Sequence, residues 1–374
     1  MISCANPSAQ FLAHQQEIES AVLNVLRGSQ YILGKEVEAL EDEFAKFLGV
    51  KSVIGVANGT DAIEISLLAL GVRPGDEVIT VSHTAVATVA AIESIGAIPV
   101  LVDISPDTYT MNPDQLDEVL TSKTKVVIPV HLYGQSADLQ RIMDFCEKHN
   151  LYLIEDVSQA HGAKWQGKRL GSIGHIGCFS CYPTKNLGAV GDAGLISSND
   201  NSIAEKVRKI RQYGWKERNS SLIPGRNSRI DELQAAILRV KLRYLDDSNN
   251  KRIQIARSYT DDLINCNDIQ LPIVKDGNEH VYHLYVIKSR FRDELLRFLS
   301  ASNIYPGIHY PTPVHLQPAY KNRLRTSINM STTETVCSEI LSLPIYPELL
   351  LEERSMVTKN VTNFFECIIK AQKS

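Results

Sequence analysis

The stretch SVIGVANGTDAIEISLLALGVRPGDEVITVSHTAVATVAAIESIGAIPVLVD (52–103) decides the fold through its rhythm. Three short apolar runs stand in it: SVIGVA (52–57), EVITV (77–81) and IPVLVD (98–103). Short runs of this kind, rich in β-branched residues and bounded by turn residues, read as strands. Between them, residues 61–70 and 84–94 repeat at helical spacing. Working outward, KVVIPV (125–130) and LYLIE (151–155) continue the strands, and 113–120 and 137–148 continue the helices. HIGCFSCY (175–182) and AGLISS (193–198) extend the sheet. Strands that alternate with helices predict βαβ units and a mostly parallel sheet. Runs apolar on both faces predict a sheet covered on both sides. In such sheets ligands bind beyond the carboxyl ends of the strands, so the chemistry belongs just after each run.

Ahead of this block, Ile18, Ala21, Val22, Val25 and Leu26 mark one helix, and Val37, Leu40, Phe44 and Phe47 mark a second that stops at Gly49. Beyond about residue 229 the texture changes. A long helical pattern runs from Ile230 to about Tyr259, followed by the strand VYHLYVI (281–287). Then come a helix near 292–300, the proline-rich HYPTPVHLQP (309–318) and a last helix near 352–370. We therefore expect a large domain over 1–245 and a smaller α+β domain over 246–374. The 374 residues are enough to bury a core without staples. Apolar residues at 44% and charged residues at 22% exclude a fibrous or disordered chain. A net charge of −4 argues against nucleic acid as a partner. Seven cysteines without a framework suit a reducing, cytoplasmic compartment. Neither a secretory leader nor a membrane-spanning stretch is expected.

Three places after strands could carry chemistry. Asn58-Gly59-Thr60-Asp61 opens a helix, where free amides and the helix dipole suit a phosphate. Taken alone, the same four residues are equally an ordinary turn capped by Thr60 or Asp61. Asp156, at the end of LYLIE, can hold a protonated ring nitrogen, or merely cap a loop. Lys185 lies in SCYPTKNLG (180–188), between a buried strand and the glycine-rich GDAG (191–194). A desolvated lysine there becomes a nucleophile for carbonyls, whereas a solvated one is plain surface. A metal set of Glu155, Asp156 and His161 is disfavoured because successive strand residues face opposite ways. Cys178 and Cys181 read as buried thiols, and GSIGHIG (171–177) precedes a strand, the wrong side for a dinucleotide fingerprint. A phosphate cradle, a carboxylate for a ring nitrogen and a carbonyl-reactive lysine together imply pyridoxal 5'-phosphate.

The blocks GTDAI (59–63), GDEVIT (75–80), EDVSQAHGA (155–163), CFSCYPTKNLGAVGDAG (178–194) and NSRIDELQAAIL (227–238) resemble the DegT/StrS family of pyridoxal-phosphate-dependent sugar-nucleotide aminotransferases. The resemblance runs from about residue 8 to LSLPIYPEL (341–349). It implies the fold type I aminotransferase architecture: an α/β large domain with a mostly parallel seven-stranded sheet, plus the small C-terminal domain. It also implies a homodimer with shared sites. By the same resemblance Lys185 carries the cofactor and moves protons, Asp156 pairs with the pyridine nitrogen, and Gln159 packs near the ring. Gly59, Thr60 and Ser180 hold the phosphate, Asn227 reaches the partner subunit's phosphate, and His309 touches substrate. One departure is Ala85, where many relatives carry an aromatic residue against the ring; His83 is a candidate replacement. Lys185 also separates this chain from a dehydratase branch that carries histidine at that place. YGWKER (213–218), GRNSRIDELQAAILRVKLRYLD (225–246) and SHTAVATVAAIE (82–93) resemble the branch acting on dTDP-3-keto-6-deoxyhexoses. The implied reaction moves the amino group of glutamate, leaving 2-oxoglutarate, onto a nucleotide-linked keto sugar to give a 3-amino sugar. The alternatives are 4-amination and a non-catalytic regulator on the same fold. A nicotinamide-dependent dehydrogenase, suggested by the sheet alone, lacks a fingerprint in the right place.

Overall fold

A computed structural model describes residues 1–373, with side chains to residue 368. The expected alternation is present, and its helices are numbered along the chain from α1 (Pro7–Leu12) and α2 (Gln15–Leu26), with α6 (Leu116–Val119), α7 (Leu139–His149) and α12 (Ser331–Glu339) further along. Strands β1 (Ser52–Val56), β2 (Glu77–Val81), β3 (Ile98–Val102), β4 (Thr124–Val127), β5 (Tyr152–Asp156), β6 (Ile176–Ser180) and β7 (Gly194–Ser198) form the main sheet. Three more follow: β8 (Tyr285–Lys288), β9 (Arg325–Thr326) and β10 (Ile340–Leu343). The main sheet runs β9-β3-β2-β4-β5-β6-β7-β1. All its pairings are parallel except those of β7, which runs antiparallel to both β6 and β1. The seven expected strands are thus joined by an eighth of two residues, β9, too short and polar to be legible in the sequence.

Adjacent strand residues feed opposite layers, as a period of two requires. Ile79 and Val81 enter a core shared with helix α3 (Lys35–Leu48) through Val37, Leu40 and Phe44. Val78, Val126 and Ile154 enter the other core, against α4 (Gly59–Ala69), α5 (Val86–Ser94) and α8 (Asn201–Ile210). The single helix expected from Ile230 onward is two, α9 (Glu232–Leu242) and α10 (Leu245–Leu263). Tyr244 breaks it at φ −108°, ψ 3°. Its ring stacks on His14 at 4.0 Å and its hydroxyl donates to Glu17 at 2.6 Å. Tertiary packing here overrides a continuous helical pattern. A third core joins α10 to α11 (Arg292–Ala301) and α13 (Leu351–Lys373), under the antiparallel pair β8–β10. Ile2 packs there too. A division near residue 245 is proposed on the ground that α10 carries Ile255, Ala256, Tyr259 and Leu263 into this core.

The end of β5 fixes the region that follows. Glu155 and Asp156 point to opposite faces. Glu155 is fully buried and accepts backbone N–H bonds from Gly171 (2.9 Å), Ile173 (2.8 Å) and Gly174 (2.7 Å). His131 Nε2 lies 3.1 Å from the same carboxylate, while its Nδ1 accepts from the Ala137 amide. That arrangement places the ring proton on Nε2, donating to Glu155. Burial alone would raise the Glu155 pKa. The His131 hydrogen bond and charge and the backbone N–H groups of Gly171 and Gly174 outweigh it and hold the pKa below the usual carboxylate range. The GSIG turn therefore wraps a carboxylate of its own chain, which explains its glycines without a nucleotide. Gly171 has φ +86°, and a Cβ there would meet Phe179 at 2.3 Å.

Glu155→Ala strips the acceptor from three amides and should cost about 3–5 kcal/mol, read by urea unfolding. Glu155→Gln, which keeps one acceptor oxygen, should cost less. A loss below about 1 kcal/mol for the alanine variant would contradict this role.

Candidate active site

A cavity of ≈ 250 Å³ opens beyond the carboxyl ends of the sheet strands, where Gly59, Thr60, Ala85, Asp156, Ser180 and Lys185 meet in its lining. Five of these are residues singled out in the sequence for cofactor binding, brought together from three separate segments.

At one end lies the start of α4. Asn58, not Thr60 or Asp61, is the cap: its side chain accepts from the Asp61 amide at 2.8 Å. The Gly59 and Thr60 amides, first in the helix, have no intrahelical acceptor and face an anion-favouring dipole. A Cβ on Gly59 would lie 2.5 Å from the Ser180 Cβ, so only glycine lets the turn and Ser180 close on one small group. Ser180 Oγ accepts a long bond, 3.4 Å, from the Tyr182 amide, which leaves its hydroxyl proton free for a phosphate oxygen.

Asp156 lies at the other end, 4% exposed. Its Oδ1 accepts from the Ser158 amide at 3.1 Å and its Oδ2 from the Thr88 hydroxyl at 3.0 Å. Thr84, one helical turn earlier, is 3.1 Å from Thr88. Neither donor is charged, and the charge of Asp156 acts on the Lys185 amine in the same cleft. A protonated ring nitrogen would find a second, matching partner in this carboxylate. Gln159 is held at both ends: its Oε1 accepts from the Tyr133 amide at 2.8 Å, and its Nε2 donates to the Tyr310 hydroxyl at 3.0 Å.

Lys185 keeps some surface toward the cleft. Loss of water around its amine lowers its pKa from the usual 10.5 to about 8, against the opposing pull of Asp156 and Cys181. The free-amine fraction at pH 7 is then roughly one in ten, against roughly one in three thousand for an ordinary lysine. The reading of Lys185 as solvated surface is thereby excluded. His161 and His309 nearby have pKa values lowered to about 3 and about 4, first by burial and then by the Lys185 charge. Neutral imidazoles do not compete with Lys185 for the cleft's negative charge.

Other expectations change. His83 does not form the cleft wall. It is buried with Nε2 2.6 Å from the Tyr133 hydroxyl and Nδ1 3.3 Å from the Cys337 thiol. Ala85 itself lines the cavity, so the wall there is small. His309 is absent from the lining: its Nδ1 meets Ser342 Oγ at 2.9 Å, and its carbonyl accepts from the Tyr133 hydroxyl. Asn227 is exposed and outside the cavity. Asn227 lies ahead of α9, which starts at Glu232, and its backbone bridges Gln212. Cys178 and Cys181 are buried thiols, and the described residues hold no cluster of three metal-ligating side chains. Thr88, Tyr133 and Tyr310 were not foreseen. Only the Thr84-to-Thr88 spacing at the start of a helix hinted at the first.

The profile of the DegT/DnrJ/EryC1/StrS aminotransferase family matches residues 13–362, and the chain belongs to that family. It is 45% identical, over 94% of this chain and 96% of the relative, to the dTDP-3-amino-3,6-dideoxy-alpha-D-galactopyranose transaminase of Aneurinibacillus thermoaerophilus. It is 43% identical, over 96% of this chain and 97% of the relative, to a protein of Geobacillus stearothermophilus named a pleiotropic regulatory protein. The crystal structure of Bacillus subtilis NtdA with its cofactor PMP (pyridoxamine phosphate) superposes with a TM-score of 0.89 at 33% identity, covering 95% of this chain and 82% of that one. The cofactor is pyridoxal 5'-phosphate, and the cleft suits it: anion-seeking amides at one end, a buried carboxylate at the other, and a low-pKa amine in the same lining.

Reductive methylation of the cofactor-free protein with labelled formaldehyde, followed by NMR titration, should show two lysines with midpoints of about 8, Lys185 and Lys241, the first identified by its loss in Lys185→Ala. A midpoint for Lys185 in the ordinary range near about 10.4 would refute its desolvation.

Proposed function

We propose that this aminotransferase moves the amino group of glutamate onto a nucleotide-linked 3-keto sugar, a dTDP-3-keto-6-deoxyhexose, to give the 3-amino sugar. The meeting of Lys185 and Asp156 in one cleft with the Gly59–Thr60 amides carries the chemistry. The Aneurinibacillus relative supports the sugar class. The bound cofactor supplies a carbonyl that takes up amines and a ring that spreads the electrons left when a proton departs from the adjoining carbon. The Gly59 and Thr60 N–H groups and Ser180 Oγ bind the phosphate. Asp156 holds the proton on the ring nitrogen, and Thr88 and the Ser158 amide keep its carboxylate aimed. Gln159, pinned by Tyr133 and Tyr310, packs against the ring. The amine of Lys185, freed when glutamate arrives, takes the proton from the glutamate Cα. In the second half it delivers a proton to the sugar carbon that receives nitrogen. His309, behind Tyr310, supports the substrate side.

The active assembly is a homodimer in which Asn227 serves the phosphate site of the partner subunit. Asn227 is exposed, and Tyr182 (52% exposed), Val190 (57%) and Leu222 (59%) present apolar surface that a second copy would cover. The described cysteines are all free, which suits a cytoplasmic setting, and no described helix is long and apolar enough to cross a membrane. A regulator without turnover is favoured by the names of some relatives, the Geobacillus protein among them. Binding alone needs no low-pKa lysine beside a buried carboxylate.

Incubation with glutamate and a panel of dTDP-, UDP- and GDP-linked 3-keto and 4-keto sugars, read by mass and NMR, should show nitrogen at C3 of a dTDP-linked 6-deoxyhexose. Amination confined to C4 would refute the regiochemistry. Lys185→Ala should abolish turnover while pyridoxamine phosphate still binds. Turnover by that variant would refute the role of Lys185, and no turnover by the wild type on any keto sugar would refute the enzymatic reading.

Mixing inactive Lys185→Ala with inactive Asn227→Ala subunits should restore activity toward the statistical fraction, because each heterodimer regains one intact site. Confirmed subunit exchange with no recovered activity would show that Asn227 serves its own chain.

A further inference from the structure

The turn that follows Lys185 is tied down at points unrelated to the cofactor. Asn186 donates to Asn249 Oδ1 at 2.8 Å and to the Val281 carbonyl at 3.2 Å. Two residues on, the Gly188 carbonyl accepts from Lys241 Nζ at 2.7 Å. Next, Val190 is gripped on both sides: its amide donates to Gln234 Oε1 at 2.9 Å and its carbonyl accepts from Gln234 Nε2 at 3.1 Å. Gln234 and Lys241 both lie on α9, seven residues apart, so they share one face of the helix about 10.5 Å apart. Lys241 is 8% exposed, and its recorded hydrogen bond goes to a neutral carbonyl. The Glu348 carboxylate helps to hold its charge, yet loss of water still makes a buried lysine expensive to keep. A Cβ on Gly188 would lie 2.4 Å from the Pro183 carbonyl, so the turn has no slack in which to choose another path.

We propose that Lys241 and Gln234 are positioning residues, a two-point brace on α9 that sets how far Lys185 reaches into the cleft. The inference rests on the reading of Lys185 as the cofactor-bearing lysine. Neither residue lines the cavity, so the brace acts on Lys185 through the turn and leaves the phosphate and ring contacts alone. Its signature is a split between two ligands. Pyridoxal phosphate must meet the Lys185 amine, and geometry decides that rate. Pyridoxamine phosphate fills the same cleft without bonding to Lys185.

The test measures two quantities on cofactor-free protein: the rate at which pyridoxal phosphate attaches to Lys185, by absorbance and by mass after borohydride trapping, and the affinity for pyridoxamine phosphate by calorimetry. Lys241→Met and Gln234→Leu should each slow attachment by about 10- to 100-fold, the scale for a reactive group displaced by about 1 Å. Both should bind pyridoxamine phosphate like the wild type, and Lys241→Arg, which keeps a charged donor, should recover the rate. Should Lys241→Met fail to fold, Gln234→Leu carries the test. Wild-type attachment rates in the folded variants would overturn the brace, as would a loss of pyridoxamine phosphate affinity in step with the rate. A Lys185→Ala control separates the two readings. Attachment surviving there would overturn the assignment of Lys185 and the brace with it, whereas normal rates in the brace variants overturn the brace alone.

Discussion

Two consecutive buried carboxylates at the end of one strand organise this protein. The alternation of a β-strand sends Glu155 into the protein and Asp156 into the cleft. Glu155 is satisfied by its own chain, with three amides and His131 around it. That closes the GSIG turn and feeds β6 into place beside β5, which in turn delivers Ser180 and the Lys185 turn to the cleft. Asp156 is only half satisfied, by a hydroxyl and an amide, and keeps its charge available. One residue builds the scaffold and its neighbour faces the cleft, and a register slip of one position would exchange their surroundings.

The same balance of satisfied and unsatisfied groups governs Lys185. A carboxylate nearby favours its charged form, yet loss of water prevails and the amine becomes a usable base. The imidazoles around it are kept neutral by burial, so they add bulk without adding charge. Reactivity here comes from what the fold withholds, chiefly water.

Much of the main sheet was legible, because apolar β-branched runs between turn residues have few other readings. The phosphate turn, Asp156 and Lys185 were legible as well, since each follows such a run. What escaped was long-range. Tyr244 breaks a helix because His14 and Glu17, more than two hundred residues earlier, hold its ring and hydroxyl. The two-residue strand β9 exists only through pairing with β3. His83 has the right composition for a ring wall, but its imidazole is claimed by Tyr133 and Cys337, which no local pattern reveals. Tyr133 and Tyr310 hold Gln159 from segments far apart in sequence.

The antiparallel strand β7 has a consequence for how this family can drift. It pairs Gly194 with Ser180 on one side and with Val56 on the other, so both ends of the Lys185 segment are locked to strands that also lead to the phosphate turn. A Cβ on Gly194 would lie 2.3 Å from the Asn58 carbonyl, which leaves no room to shift that end. The stretch from 181 to 193 thus behaves as a fixed-length rung between two anchored rails. Insertions that change substrate preference have to settle elsewhere, in segments such as 216–222 where the chain is exposed and crosses no such junction.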